Sequence, residues 1–160
     1  PHIAILGRLK ENGEYRNVTR FKELDIRPDV LVIRHDAPLF FANIGNFIDS
    51  MKAQMAAKGD DLKLIVLHCG SIPSIDATAL QAIDEFIDEM DQAGIKMAFS
   101  GLIGPVRDFL FKAGFIEQHK ETNFSLDIQY AIDRYDQNEA IGGATSEYAL
   151  QTNVRKEEKK

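Results

Sequence analysis

The sequence holds one cysteine among 160 residues. Cys69 on its own excludes an internal disulfide and a multi-cysteine metal site, and it fits a reducing compartment. No stretch approaches the ~20 apolar residues that a membrane helix requires, so no direct lipid insertion by this segment is expected. Positive charge is also in short supply. Nineteen Lys and Arg stand against 25 Asp and Glu, a net charge of −6, which argues against a nucleic-acid surface and against adhesion to anionic lipid by charge alone. The four histidines, His2, His35, His68 and His119, are scattered without HxH or HxxxH spacing. A zinc site needs three or four converging ligands, so no metal is expected. The GxxxxGK[ST] and GxGxxG patterns are missing as well, and "GLIG" at 101–104 merely brackets a loop. No cofactor is expected.

What the chain does have is core-forming material. Apolar residues make up 44% of it and charged residues 28%, as for one globular domain with a sizeable core. "HIAILGRL" alternates and stops at a turn marked by Asn12-Gly13. "DVLVIRHDAPLFFANIG", 29–45, is β-branched and aromatic, and Pro38 divides it into two expected strands, the second at an edge. From Ile44 the period turns helical through Phe47, Ile48, Met51 and Met55, ending at Lys58-Gly59. "LKLIVLHC", 62–69, reads as a buried central strand. A second helical stripe, Leu80, Ile83, Ile87 and Met90, ends near Gly94, and "IKMAFSG", 95–101, is the next strand. Pro105 opens a short helix with Val106, Phe109, Leu110 and Ala113 inward and Gly114 as its terminator. A last helix is predicted from about Ser125, carrying Ile128, Ala131, Ile132 and Tyr135. The alternation predicts an α/β fold, with parallel crossovers and helices mainly in one layer. From Asn138 the pattern dissolves into a segment with four acids and four bases, expected to be a flexible tail over 138–160 behind a folded domain at 1–137. A chain opening on Pro1 rather than Met, with strand-like sequence at once, is expected to be a segment of something longer and shows no leader pattern.

Chemistry-bearing residues gather at one joint. In "PSIDATALQAIDEF", 73–86, a strand hands over to a helix. Asp76 is placed to cap that helix and complement its dipole, and the open helix start is also a possible anion or phosphate site. Thr78 falls in the first turn with its hydroxyl toward solvent. Beyond it, Asp84, Glu85, Asp88, Glu89 and Asp91 occupy the face away from the apolar stripe, with no base between Asp76 and Gly94. That face reads either as solvated or as a docking face for a basic partner. Paired carboxylates there lack the desolvation that would split their pKa values for acid–base work. His68 and Cys69 are adjacent on a strand and point to opposite faces, so they form no nucleophile–base dyad.

Three segments carry a family resemblance. "PHIAILGRLKENGEYRNV" resembles the opening of the STAS domain of SulP-type anion transporters, a Pro-x-x-x-x-Leu-Gly-Arg strand followed by a turn and Tyr-Arg. "VLVIRHDAPLFFANIGNF" is similar to that family's Arg-x-Asp-x-Pro-Leu-aromatic-Phe-Ala-Asn stretch. "LIVLHCGSIPSIDATAL" resembles the central strand and Ile-Asp-x-Thr-Ala helix start shared by all STAS domains. The likeness covers about residues 1–136. It implies a STAS-type fold: a central mixed β-sheet packed by four or so α-helices mainly on one side. It further implies a non-catalytic regulatory domain of a secondary sulfate-type transporter. Such a domain would sit at the C-terminus of a multi-pass protein, on the cytoplasmic side of a bacterial inner membrane. The implied partners are the membrane domain of the same transporter, and a cytosolic regulatory protein or a second copy. The alternative is a stand-alone switch like the anti-sigma-factor antagonists. Their joint reads Asp-Ser-Ser-Gly, and the first serine accepts phosphate. Here Asp76 matches the aspartate, Ala77 the phosphoacceptor, Thr78 the second serine and Ala79 the glycine. Ala77 has no hydroxyl, so the switch cannot work at its usual position. The expected partner-binding or regulatory surface is therefore Asp76, Ala77, Thr78, Asp84, Glu85 and Asp88. Nucleotide binding, reported for some STAS domains, is not expected without a phosphate motif.

Overall fold

The computed structural model describes residues 3–119 and 123–137. Its elements run β1 (Ile3–Leu9), β2 (Tyr15–Asn17), β3 (Leu24–Asp25), β4 (Val30–His35), α1 (Ile44–Lys58), β5 (Leu64–His68), α2 (Ala77–Gln92), β6 (Lys96–Ser100), α3 (Gly104–Lys112), α4 (Phe115–Gln118), β7 (Asn123–Ser125) and α5 (Ile128–Asp136). The seven strands form one mixed sheet in the order β2-β1-β4-β5-β6-β7, with β3 also paired to β1. β4 to β7 are mutually parallel, and β1 runs antiparallel to β2, β3 and β4.

The strand period of two divides the core in half. Leu31, Ile33, Ile65, Leu67, Met97 and Phe99 face one way, into a cluster with Phe47 and Met51 of α1, Ile83, Phe86 and Ile87 of α2, and Leu110 of α3. Val30, Val32, Leu64, Val66 and Ala98 face the other way, against Ile128, Ala131 and Ile132 of α5. α1 to α4 thus form the expected main layer, while among the described helices α5 covers part of the second face. Burial of each such apolar side chain contributes roughly 1.5–3 kcal/mol. For helices this short, packing of that kind supplies most of the stability, because propensity alone would leave them marginal.

Three local expectations are corrected. The second strand after Pro38 shrinks to one parallel bridge, Leu39 to Ile75, because Asn43 folds the chain back. Its Nδ2 donates to the Pro38 carbonyl at 2.7 Å and its Oδ1 accepts from the Phe40 N–H at 2.9 Å. The last helix begins at Ile128, not near Ser125. Asp127 caps it by accepting from the Tyr130 N–H at 2.7 Å, and residues 123–125 are a strand. Ala113 is exposed rather than inward, since α3 closes at Lys112 and the chain turns through left-handed Gly114 (φ 75°) into α4. The predicted tail at 138–160 lies outside the described residues, and with it the boundary at 137.

Candidate functional site

The β5–α2 joint is held from two sides by one carboxylate. Asp76 has extended dihedrals (φ −89°, ψ 172°), as an N-cap residue requires. Its Oδ1 accepts from the Ala79 N–H at 2.7 Å, and its Oδ2 accepts from the Phe41 N–H at 2.9 Å across a sequence gap of 35 residues. Its own N–H donates to the Leu39 carbonyl at 3.0 Å, and the Leu39 N–H donates to the Ser74 carbonyl at 3.0 Å. The capping expected from the sequence is therefore present, and it also fastens the 39–41 loop beside the helix start.

That fastening decides what the joint shows to solvent. Ala77 and Thr78 are exposed on the first turn of α2. Beside them stand Phe40 and Phe41, edge to face with ring centres 5.8 Å apart, Phe41 being 72% exposed. Sequence reading assigned both phenylalanines to an edge strand and missed them as surface groups. Adjacent aromatics just after a proline, in a segment too short to pair, were the available signal.

The acidic residues of α2 do not share one open face. Asp84 is half-buried and accepts from Gln118 at 3.2 Å, and its Oδ1 lies 2.5 Å from Nε2 of His119, a buried imidazole tilted 58° against the Phe115 ring. Glu89 reaches α1 through Lys52 at 3.0 Å, and Asp91 lies 3.9 Å from Lys96. Glu85 and Asp88 point outward. Of the six residues expected to form a surface, Asp76, Ala77 and Thr78 are contiguous. Ala77 and Asp84 meet again along a shallow groove of about 320 Å³, together with Leu80, Phe109, Ala113 and Gln118. Glu85 and Asp88 do not line it.

Among the described residues no nucleophile and base pair at the joint. Cys69 is fully buried, and burial pushes its thiol well above the usual range, so it stays protonated and inert. His68 turns away from it, with Nδ1 3.1 Å from Ser100 Oγ. Its ring lies between two glycine backbones. A Cβ at Gly101 (φ +70°) would stand 2.7 Å from the imidazole Cε1, and one at Gly70 would stand 3.0 Å from Nε2. Among the described residues no three His, Cys, Asp or Glu side chains come together as a metal site. No helix among them is long and apolar enough to cross a membrane.

Comparison with known proteins gives consistent matches. The family model described as the STAS domain matches residues 21–131. Probable sulfate transporter 4.2 of Arabidopsis thaliana is 32% identical over 126 residues, covering 73% of this chain and 19% of the relative. A probable sulfate transporter of Mycobacterium tuberculosis is 24% identical over 135 residues, covering 84% of this chain and 24% of its own length. The chain thus spans about a fifth of the length of the curated relatives it matches. Among solved structures, the murine Slc26a9 anion transporter in its inward-facing state superposes with a TM-score of 0.78 at 16% identity, over 86% of this chain and 22% of that one. A putative anti-sigma factor antagonist of Thermotoga maritima superposes with a TM-score of 0.58 at 19% identity, over 69% of this chain and 90% of that one. At these identities the two superpositions speak to the fold alone.

Proposed function

This chain belongs to the STAS domain family, and on that premise we propose that it is the regulatory domain of a sulfate-type secondary anion transporter. It acts through protein contacts and not through catalysis. It sits on the cytoplasmic side of the membrane, and its first partner is the membrane domain of the same protein. A domain in that position regulates transport by making different contacts with two transporter states, because only a difference in contact free energy biases an equilibrium. Asp76, Ala77 and Thr78, with Asp84, Glu85 and Asp88 further along α2, form the contact surface, joined by Phe40 and Phe41.

The observation that carries this reading is how the joint spends its polar groups. Both carboxylate oxygens of Asp76 are committed to backbone N–H donors. What remains outward is small or aromatic: Ala77, Thr78, Phe40 and Phe41. Such a patch sets no acid or base beside the one hydroxyl, that of Thr78, that it offers. It does suit desolvation against a partner, where aromatic anchors carry much of the binding energy. The stand-alone switch is the weaker reading, because the position corresponding to the phosphoacceptor is Ala77.

The test is a pair of substitutions in the full-length transporter, Ala77→Glu and Thr78→Glu, read by anion uptake and surface level. Thermal melts of the 160-residue chain carrying the same changes serve as the control. Transport or assembly should fall while both melts stay near that of the parent chain. Unchanged transport in both variants would reduce the joint to a helix cap.

A further inference from the structure

The second face of the sheet carries a larger cavity than the joint does. α5 covers the sheet from β5 to β7 and leaves a cleft of about 450 Å³ between its flank, the β1–β2 hairpin and the 25–28 segment. This is within the size range of small-molecule sites, about 300–1,000 Å³. Its floor is apolar, built from Leu6, Val30, Val32 and Ile132.

The polar groups around that floor are nearly all spent on one another. Arg27 forks onto Asp29 and Asp136, with four contacts between 2.7 and 3.0 Å. The Tyr15 hydroxyl donates to Gln129 Oε1 at 2.6 Å, and Gln129 Nε2 donates to Asp133 at 2.7 Å. Asp25, opposite Arg8 in the strand register, lies 3.6 Å from Lys10. Arg8 is the exception. It lies across from Tyr15 on β1 and lines the same cleft, and among the described residues it has no carboxylate within ion-pairing distance. The four lining charges, Arg8, Arg27, Asp25 and Asp136, cancel in sum, so attraction from a distance is weak. Arg8 is exposed at the cleft, its guanidinium lying over Gly13 of the hairpin turn, and its planar fork matches a carboxylate.

We propose that this cleft binds a small amphipathic carboxylate, its apolar body on Leu6, Val30, Val32 and Ile132 and its head group on Arg8. Burial holds the Tyr15 phenol above its usual pKa, with the Arg8 charge opposing. At neutral pH the ring therefore stays a neutral wall that does not repel the anion.

The experiment titrates the 160-residue chain with decanoate and decylammonium below their micellar ranges and with decanol below its solubility limit, and follows the methyl signals by NMR. Decanoate is expected to saturate one site, with the largest shifts at Leu6, Val30, Val32 and Ile132. Decanol should bind about tenfold more weakly or less well still, as fits the loss of a charge-assisted hydrogen bond. Arg8→Gln should bring decanoate down to the decanol level, and Arg8→Lys should restore part of the difference. Non-saturating shifts, equal affinity for all three probes, or shifts centred elsewhere would each overturn the proposal. Binding confined to the groove beside α2 would count as shifts elsewhere. The three probes decide the matter on the unaltered chain, so a variant that failed to fold would not rescue the idea.

Discussion

At the scale of single residues, His68 and Cys69, which the strand period already separates onto opposite faces, are both held by the fold. Cys69 is sealed in the core, and His68 is pinned between Gly70 and Gly101. The histidine nevertheless leaves a mark on stability. Burial first, and then the nearby Arg34 charge, press its pKa below the ordinary 6.5, with Asp36 opposing. The folded chain therefore favours the neutral ring, while the unfolded chain takes up the proton at higher pH. The stabilising contribution is complete above about pH 6.5 and is lost as pH falls through the lower folded value. Urea melts between pH 7.5 and 5.5 should show stability declining on acidification, and His68→Gln should flatten that decline. An equally steep decline in the variant would assign the effect to another group. The opposite orientations of His68 and Cys69 were legible from strand period alone, and so was the capping role of Asp76. The half-buried setting of His68 was not, because it depends on two glycine backbones that only the folded sheet brings to the ring.

At the scale of elements, Asp76 matters more than a cap does. One carboxylate fixes the start of α2 and the loop that leads into α1. Loss of the cap alone costs about 0.5–2 kcal/mol, and the Phe41 N–H loses its acceptor in the same substitution. Asp76→Ala is therefore expected near the upper end of that range, with faster amide exchange at both Phe41 and Ala79. Thr78→Ala, in the exposed first turn, should change stability by less than ~0.5 kcal/mol. If Asp76→Ala left Phe41 exchange untouched, the cross-loop bond would have no energetic weight. The long elements, α1, α2, β4, β5 and β6, were readable because each shows several periods of its pattern. β2, β3 and β7, at two or three residues, are too short to repeat the two-residue strand period and depend on pairing to exist. The 38–43 segment misled for a related reason. Its composition is that of a strand, but the Asn43 side chain satisfies its backbone locally and turns it toward α1.

At the scale of the whole molecule, the net charge of −6 concentrates less on the open face of α2 than its sequence suggests, because Glu89 and Asp91 lie near lysines and Asp84 turns into the fold toward Gln118 and His119. Glu85 and Asp88 remain to meet a basic partner. Joint reversal to lysine in the full-length transporter should weaken transport or assembly modestly, and the loss should shrink as salt is raised. A salt-independent loss would point to damage within the domain. No local pattern could have revealed the Asp84 contact, since Gln118 and His119 lie 34 and 35 residues further on. The sheet itself has a consequence for how the chain is made. After β4 joins β1, each later strand, β5, β6 and then β7, pairs with the one before it, at the growing edge. Nothing has to be inserted between strands already in place, so the layers can be laid down in the order in which a ribosome releases them. Only the second face must wait. Leu64, Val66 and Ala98 stay uncovered until Ile128 to Ile132 emerge, so the nascent chain is most exposed to aggregation in the interval between the synthesis of β6 and that of α5.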